Sequence, residues 1–355
     1  MLGKDEVRFQ MLGELTSQLL KGQSLADDQV RLAIAQLIDE QISAEAKADF
    51  LTALARKGET TNEIAAFARE LRDRAIMPPL DGETRKREIL DVCGTGGDRQ
   101  NTFNISTTVA LVVASAGIAV AKHGNRAITS KSGSADVLEE LGIPIDLTPD
   151  HAAASLREHN FAFFFAPKYH PAFKHIGPAR KLCAERGQRT IFNFLGPLLN
   201  PARPSAQLIG VPQPKLCEPM ARVLQSLGVR RGMVVSGGAG EGFLDELSTL
   251  GENTIAEFYQ DLGFSISTHP AEQFRPSPAS LTDLEGGDRS ANAWTVREIL
   301  AGRDRGPKRD AVLLNAGAAL FVAAKTRSMH DGIKLAAQLI DSGQAHSKLE
   351  ELSSR

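Results

Sequence analysis

A change of hydrophobic period near residue 88 constrains this chain more than any other feature. Before it, apolar side chains recur at helical spacing: Phe9, Leu12, Leu15 and Leu19, then Val30, Ile34, Leu37 and Ile38, then Phe50, Leu51 and Leu54. The capping box Thr60-Thr61-Asn62-Glu63 opens a fourth helix with Ile64, Phe67 and Leu71 on one face. Pro78-Pro79 and Gly82 break the pattern and mark a boundary over 76–86. Beyond it, strand-length apolar runs (89–93, 118–120, 161–166, 206–211, 232–236) alternate with helical segments (107–116, 134–141, 150–158, 170–184, 215–227). A further strand over 254–259 and an apolar helix over 311–324 follow. Strands separated by helices return in the same direction, which gives βαβ units and a largely parallel sheet. The expected fold class is α/β: a small all-helical N-terminal domain over 1–80, and a large α/β domain with a mostly parallel central sheet over 81–355.

Composition narrows the function. With 41 basic and 43 acidic side chains the net charge is -2, which argues against a broad nucleic-acid-binding surface. No apolar run reaches the ~20 residues of a membrane span. The start MLGKDEVRFQ carries charges where a secretory signal has its apolar stretch. Cys93, Cys183 and Cys217 are too few for a disulfide framework and are not spaced as a metal pair, so they read as reduced thiols in a cytoplasmic protein. Glycine is abundant, at 31 residues, and aromatics make up only 5 %, a balance that suggests tight loops where backbone approaches a ligand.

The motifs point to anions. Asp91-Val-Cys-Gly-Thr-Gly-Gly-Asp98 follows the first strand, and Thr102-Phe-Asn-Ile-Ser-Thr107 leads into the next helix. Its glycines let backbone N–H groups face an anion, and the hydroxyls of Thr102, Ser106 and Thr107 stand at a helix start, with Ser106 or Thr107 expected as the cap. This describes a phosphate or pyrophosphate cradle; a tight capped turn is the plainer alternative. It is neither the dinucleotide fingerprint, which needs a third glycine, nor a Walker loop, which needs Gly-Lys-Ser/Thr. Lys122-His-Gly-Asn-Arg126 and Thr129-Ser-Lys-Ser-Gly-Ser134 follow the second strand as a second anion site, in which Lys122 and Arg126 supply charge. In a parallel sheet both loops lie at the carboxyl ends of neighbouring strands, where such sheets bind ligands. Phe243-Leu-Asp-Glu246 offers adjacent carboxylates of the kind that hold Mg2+ together with substrate phosphates. Arg180, at the end of His170-Pro-Ala-Phe-Lys-His-Ile-Gly-Pro-Ala-Arg180, presents a planar fork suited to a carboxylate. His170 and His175 lack ligand-spaced partners and read as capping or packing histidines.

Taken in order, GTGGD…NIST, KHGNR…SGSADVLEELG, HPAFKHIGPAR, FLGPLLNP, LDE and GGD…AN resemble the anthranilate phosphoribosyltransferase family over essentially the whole chain. The resemblance implies a nucleoside phosphorylase/phosphoribosyltransferase-like fold, with the small domain rejoined by about 182–203. It also implies an active site in the cleft between domains and a homodimer through the helical domain. The implied reaction transfers phosphoribose from 5-phosphoribosyl 1-pyrophosphate to the amine of anthranilate, the second step of tryptophan biosynthesis from chorismate. Matching donor positions are Gly94, Gly97, Asp98, Thr102, Asn104, Ile105, Ser106, Thr107, Lys122, Ser130 and Ser134. Gly94, His123, Asn125 and Arg180 match the acceptor contacts. Ser106, Asp245 and Glu246 match the metal ligands, with two Mg2+ per active site. Neither nucleic acid nor membrane is implied as a partner. An aromatic amine is neutral near pH 7, so no catalytic base is assigned, and positioning and electrostatics carry the rate. Three other readings stay open at this level: a relative with a different aromatic acceptor, a pyrimidine nucleoside phosphorylase, which needs no Asp-Glu pair, and a non-catalytic nucleic-acid-binding relative.

Three stretches depart from the family pattern. Residues 181–189 are longer than usual, Arg99-Gln100-Asn101 is bulkier, and 236–243 is extended and glycine-rich, with Ser236 where many relatives carry His. The last reads either as a mobile lid over the metal pair or as a surface insertion.

Overall fold

The computed structural model describes residues 4–127, 131–260, 262–274 and 278–354, with side chains from Met11 onward; Ser130 and the Phe9 side chain lie outside the described residues. The chain divides into two compact units, Met1–Ile76 with Pro167–Leu199, and Met77–Ala166 with Asn200–Arg355. In chain order the elements are α1 Lys4–Leu20, α2 Asp27–Ile38, α3 Ala44–Lys57, α4 Thr61–Asp73, α5 Gly82–Lys86, β1 Ile89–Gly94, α6 Ile105–Ser115, β2 Ala119–Gly124, α7 Ser134–Glu140, α8 Pro149–His159 and β3 Phe161–Phe165. There follow α9 Ala166–Tyr169, α10 Gly177–Glu185, α11 Phe192–Leu195, β4 Ala206–Gly210, α12 Cys217–Ser226, β5 Arg231–Ala239, β6 Gly242–Leu244, β7 Asn253–Tyr259 and β8 Gly263–His269. The chain closes with α13 Arg289–Leu300, α14 Pro307–Val322, α15 Met329–Asp341 and α16 Gln344–Ser353. Among the described residues no helix is long and apolar enough to cross a membrane.

In the helical unit the predicted stripes are the buried ones: Leu12, Leu15 and Leu19, then Val30, Ile34 and Leu37, then Phe50, Leu51 and Leu54, then Phe67 and Leu71. The capping box forms as its residues dictate. Thr60 Oγ1 accepts the Glu63 N–H at 3.2 Å, and the Glu63 carboxylate accepts the Thr60 N–H at 2.9 Å. The second segment of this unit opens at Pro167, ahead of the 182 expected. The segment expected as one helix over 170–184 is a 3-10 turn, Pro171–His175, followed by α10. Pro178 stands in the first turn of α10, where its missing N–H is tolerated but cannot carry a helix through from the turn before, so a new helix starts there. Lys47 Nζ donates to the His175 carbonyl at 3.0 Å and ties that turn to α3.

In the α/β unit the sheet order is β3-β2-β1-β4-β5-β7-β8, with β6 on β5. The β3 to β5 pairings are parallel, and β6, β7 and β8 add antiparallel. Gly94 is in register with Gly210, and Gly210 with Val235, so the segments after β1 and β4 leave the same edge of the sheet. That is the edge where α/β sheets bind ligands. α6 is apolar on all sides and is buried from Thr107 to Ala114, packed against β1, β2 and α14.

Two local expectations change. The cap of α6 is Asn104, without a side-chain cap bond, so Ser106 and Thr107 stand inside the first turn. The glycine-rich stretch is a regular hairpin rather than an open loop: β5 continues to Ala239, turns through Gly240 at φ 62°, and β6 pairs back with Gly237↔Leu244 and Ala239↔Gly242. Strand β8 carries no expectation from sequence. β8 is largely exposed on both faces, which leaves it without a buried stripe to read.

Candidate active site

β1 delivers the glycine loop to the binding edge. Gly96 and Gly97 take φ of 75° and 85°, a region glycine enters freely. Arg99 and Asn101 take φ of 63° and 53°, at about 1 kcal/mol each for residues with a Cβ. The segment after the loop is held by a distant one. Phe103 N–H donates to the Leu284 carbonyl at 3.0 Å, and Gly286 N–H to the Asn101 carbonyl at 2.8 Å. Thr102 bridges to Glu285, and a methyl on Gly286 would strike the Phe103 backbone. Asn292 Nδ2 donates to Asn104 Oδ1 at 2.8 Å, while its own Oδ1 accepts the Gly287 N–H at 2.8 Å. Asn292 thereby sets Asn104, a role the sequence signals only through Gly286-Gly287-Asp288 and the asparagine that follows. The Ile105 side chain is in the core, and its N–H is taken by the Phe103 carbonyl at 2.7 Å.

Lys122 points inward from β2. It is 1 % exposed, and its Nζ donates to the Val92 carbonyl at 2.7 Å and to Ser106 Oγ at 3.3 Å. Burial lowers its pKa, against the pull of Cys93, Asp91 and Glu246. Asp91 is fully buried in β1, where its carboxylate accepts from Asn200 Nδ2 at 2.9 Å and from the His123 N–H at 3.4 Å. Burial pushes Asp91 up to about 6, with Asn200 and Lys122 opposing. Asn125 is exposed, and its carbonyl accepts Ser134 Oγ at 3.3 Å and the Ala135 N–H at 3.2 Å. Arg126, expected to charge the second anion site, is instead bound to Glu139 at 2.8 and 2.9 Å and to Asp136 at 3.1 Å. Two carboxylates of α7 pair with it, and Lys122 is the buried cation of this site.

β6 returns Asp245 and Glu246 to the glycine loop. Gly96 N–H donates to Asp245 Oδ2 at 2.7 Å. A methyl on Gly94 would overlap that carboxylate, and one on Gly210 would overlap the Asp245 backbone carbonyl, so neither position accepts a side chain without displacing Asp245. Asp98, Asp245 and Glu246 place carboxylate oxygens within 4.8 Å of one another. Burial first, and then the charge of Asp98, pushes Asp245 up to about 7; burial and Asp245 push Glu246 well above its usual range. Glu246 Oε2, Asp98 Oδ2 and Thr107 Oγ1 are buried without a hydrogen-bond partner among the described residues. Ser106, Asp245 and Glu246 line one cavity of about 10 Å³, the room of a single water or ion. Crowded, unsatisfied carboxylate oxygens beside a hydroxyl fit Mg2+, a hard cation that takes oxygen ligands. Asp98, expected on the donor side, sits with this acidic pair.

Arg180 lies on α10, in the helical unit, while the donor-loop and acidic residues are in the α/β unit. Its guanidinium carbon is 5.4 Å from the Phe192 ring centroid, and burial lowers its pKa.

A glycosyl transferase family model for an a/b domain matches residues 86–346, and one for a helical bundle domain matches 13–75. Anthranilate phosphoribosyltransferase of Geobacter sp. (strain M21) is 44 % identical, over 96 % of this chain and 98 % of that protein. The chain belongs to the anthranilate phosphoribosyltransferase family. The Lacticaseibacillus casei (strain BL23) relative is 49 % identical over 89 % of this chain and 90 % of its own. Among solved anthranilate phosphoribosyltransferases, that of Thermus thermophilus matches with a TM-score of 0.85 and 40 % identity, covering 96 % of this chain and 98 % of its own. That of Saccharomyces cerevisiae in complex with PRPP and Mg matches with a TM-score of 0.86 and 26 % identity, covering 97 % of each chain. Gly242 of the hairpin abuts the Gln100 side-chain amide.

Proposed function

We propose that this chain transfers the phosphoribosyl group of 5-phosphoribosyl 1-pyrophosphate to the amine of anthranilate, giving N-(5-phosphoribosyl)anthranilate and pyrophosphate in tryptophan biosynthesis. The observation that carries this reading is the convergence of Ser106, Asp245 and Glu246 on one small cavity beside the glycine loop. Relatives from Saccharomyces cerevisiae solved with PRPP and Mg and with 4-fluoroanthranilate support it.

Ser106, Asp245, Glu246 and Asp98 would hold Mg2+. Bound there, Mg2+ neutralises charge on the pyrophosphate leaving group. The N–H groups of the Gly94 and Gly97 loop, the hydroxyls of Thr102, Ser106, Thr107 and Ser134, the amide of Asn104 and the ammonium of Lys122 bind the polyanionic donor. These dipoles stand ready before charge develops on the departing oxygen. Arg180 pairs with the anthranilate carboxylate, and Gly94, His123 and Asn125 border the acceptor. The amine lone pair then forms the bond to ribose C1 as the bond from C1 to the pyrophosphate oxygen breaks, and the nitrogen afterwards gives its proton to water. Holding both reactants in this order replaces a general base.

The chain acts as a homodimer through its helical domain, a reading supported by Leu20 and Leu32, apolar and 68 % and 43 % exposed there. It works in the cytoplasm, in keeping with the free thiols of Cys93, Cys183 and Cys217. Steady-state turnover of anthranilate with the donor, scanned against other aromatic amines and acids, tests the acceptor. Preference for another acceptor, with anthranilate unreacted, would refute it.

A further inference from the structure

The outer edge of β3 runs along a cavity. Val120 N–H donates to the Asn160 carbonyl at 2.9 Å, and the register pairs Val120 with Phe161 and Lys122 with Phe163. In a parallel ladder this phase points the N–H and C=O of Ala162 and Phe164 at β2, and those of Phe161 and Phe163 away from it. β3 ends the sheet, so among the described residues no strand meets the outward groups. The Phe161 carbonyl is taken by Ser155 Oγ of α8 at 2.7 Å. Beside Phe163 lies a cavity of about 310 Å³, enclosed by β3, α8, the segment 143–147 and α16. Ile143, Leu147, Ala154 and Leu352 give it apolar walls, and His151 and Glu158 stand with them. It shares no residue with the donor or acidic site.

Its size is that of a small-molecule site, and its chemistry is apolar with few polar groups. The N–H and C=O of one extended residue point the same way, as in the antiparallel pair that exchanges both bonds. A cis amide held in a ring offers the same acceptor and donor side by side. We propose that this cavity is a binding site for planar lactam-class heterocycles, held by two hydrogen bonds to the Phe163 backbone with the ring against Ala154 and Leu352. The site stands independently of the transferase reading.

The test titrates 2-quinolinone and N-methyl-2-quinolinone onto the full chain by calorimetry. The methyl removes the donor and leaves the ring. The expected result is saturable binding of 2-quinolinone, at least tenfold weaker binding of the methylated probe, and at least tenfold loss of 2-quinolinone affinity in Ala154→Phe and in Leu147→Trp. Absence of saturable binding, equal affinity for both probes, or unchanged affinity in both variants would overturn the proposal. Amide NMR of the unmodified chain gives a reading that does not depend on variants folding. The Phe163 N–H resonance shifts downfield with 2-quinolinone, and an unmoved resonance at saturation overturns the assignment.

Discussion

Gly96 donates its backbone N–H to Oδ2 of Asp245 at 2.7 Å, across 149 residues of chain. The donor loop is therefore fastened to the acidic pair by the fold itself. Asp245 serves the loop's shape and the site's charge together. Replacing Asp245 and Glu246 by Ala removes like charges that burial makes costly, so the metal-free variant melts no lower than the parent. Its kcat at saturating donor falls by about 100-fold or more, the range seen when preorganised charge stabilisation is lost. Thermal melting and steady-state kinetics check the two halves, and an unchanged kcat refutes the metal assignment.

Gly94 and Gly210 separate loss of function from loss of fold. A methyl on Gly94 meets the tip of the Asp245 side chain, which can turn away only by releasing Gly96. Gly94→Ala folds and loses activity by roughly tenfold or more, the worth of about 1.4 kcal/mol. A methyl on Gly210 meets backbone, which cannot turn away. Gly210→Ala is destabilised by about 2–3 kcal/mol in urea unfolding. The reverse ranking would show that the contact at Gly94 is not what shapes the loop.

Arg180→Ala raises the KM for anthranilate by roughly 10- to 100-fold, the worth of a charge-assisted hydrogen bond, and leaves the donor KM near its parent value. Arg180→Lys recovers part of the loss, since a point charge replaces a fork. An effect confined to the donor KM would remove Arg180 from the acceptor site.

His170 makes the helical unit acid-sensitive. Burial lowers its pKa to about 4, from about 6.5 in the unfolded chain. A depressed folded value means the stabilisation is present above about 6.5 and is lost as pH falls toward 4. Between about pH 7 and 5 the loss is about 2 kcal/mol. Urea unfolding of His170→Phe, whose ring keeps the stacking on Phe173, shows a flatter acid limb than the parent; parallel limbs contradict the assignment.

Local signals were readable and distant pairings were not. The helical stripes follow from which residues can be buried at helical spacing, and the Thr60–Glu63 box from the reach of two side chains. The inward turn of Lys122 is ambiguous in a strand buried on both faces, where alternation is lost. Arg126 looks available from its loop, yet its partners Asp136 and Glu139 belong to the following helix. Asp98 joins Asp245 and Glu246 only because β1 and β6 end at the same edge, which no spacing announces. The restart of the helix at Gly177 is legible in Pro178, a residue suited to a first helical turn and not to a helix interior.

The most direct test of the account follows phosphorus by 31P NMR while anthranilate fluorescence is read in parallel, with and without Mg2+. The expected result is one pyrophosphate released per anthranilate consumed, dependent on Mg2+ and lost in Asp245→Ala with Glu246→Ala. Donor breakdown without anthranilate consumption, release of inorganic phosphate in place of pyrophosphate, or full turnover in excess chelator would contradict it.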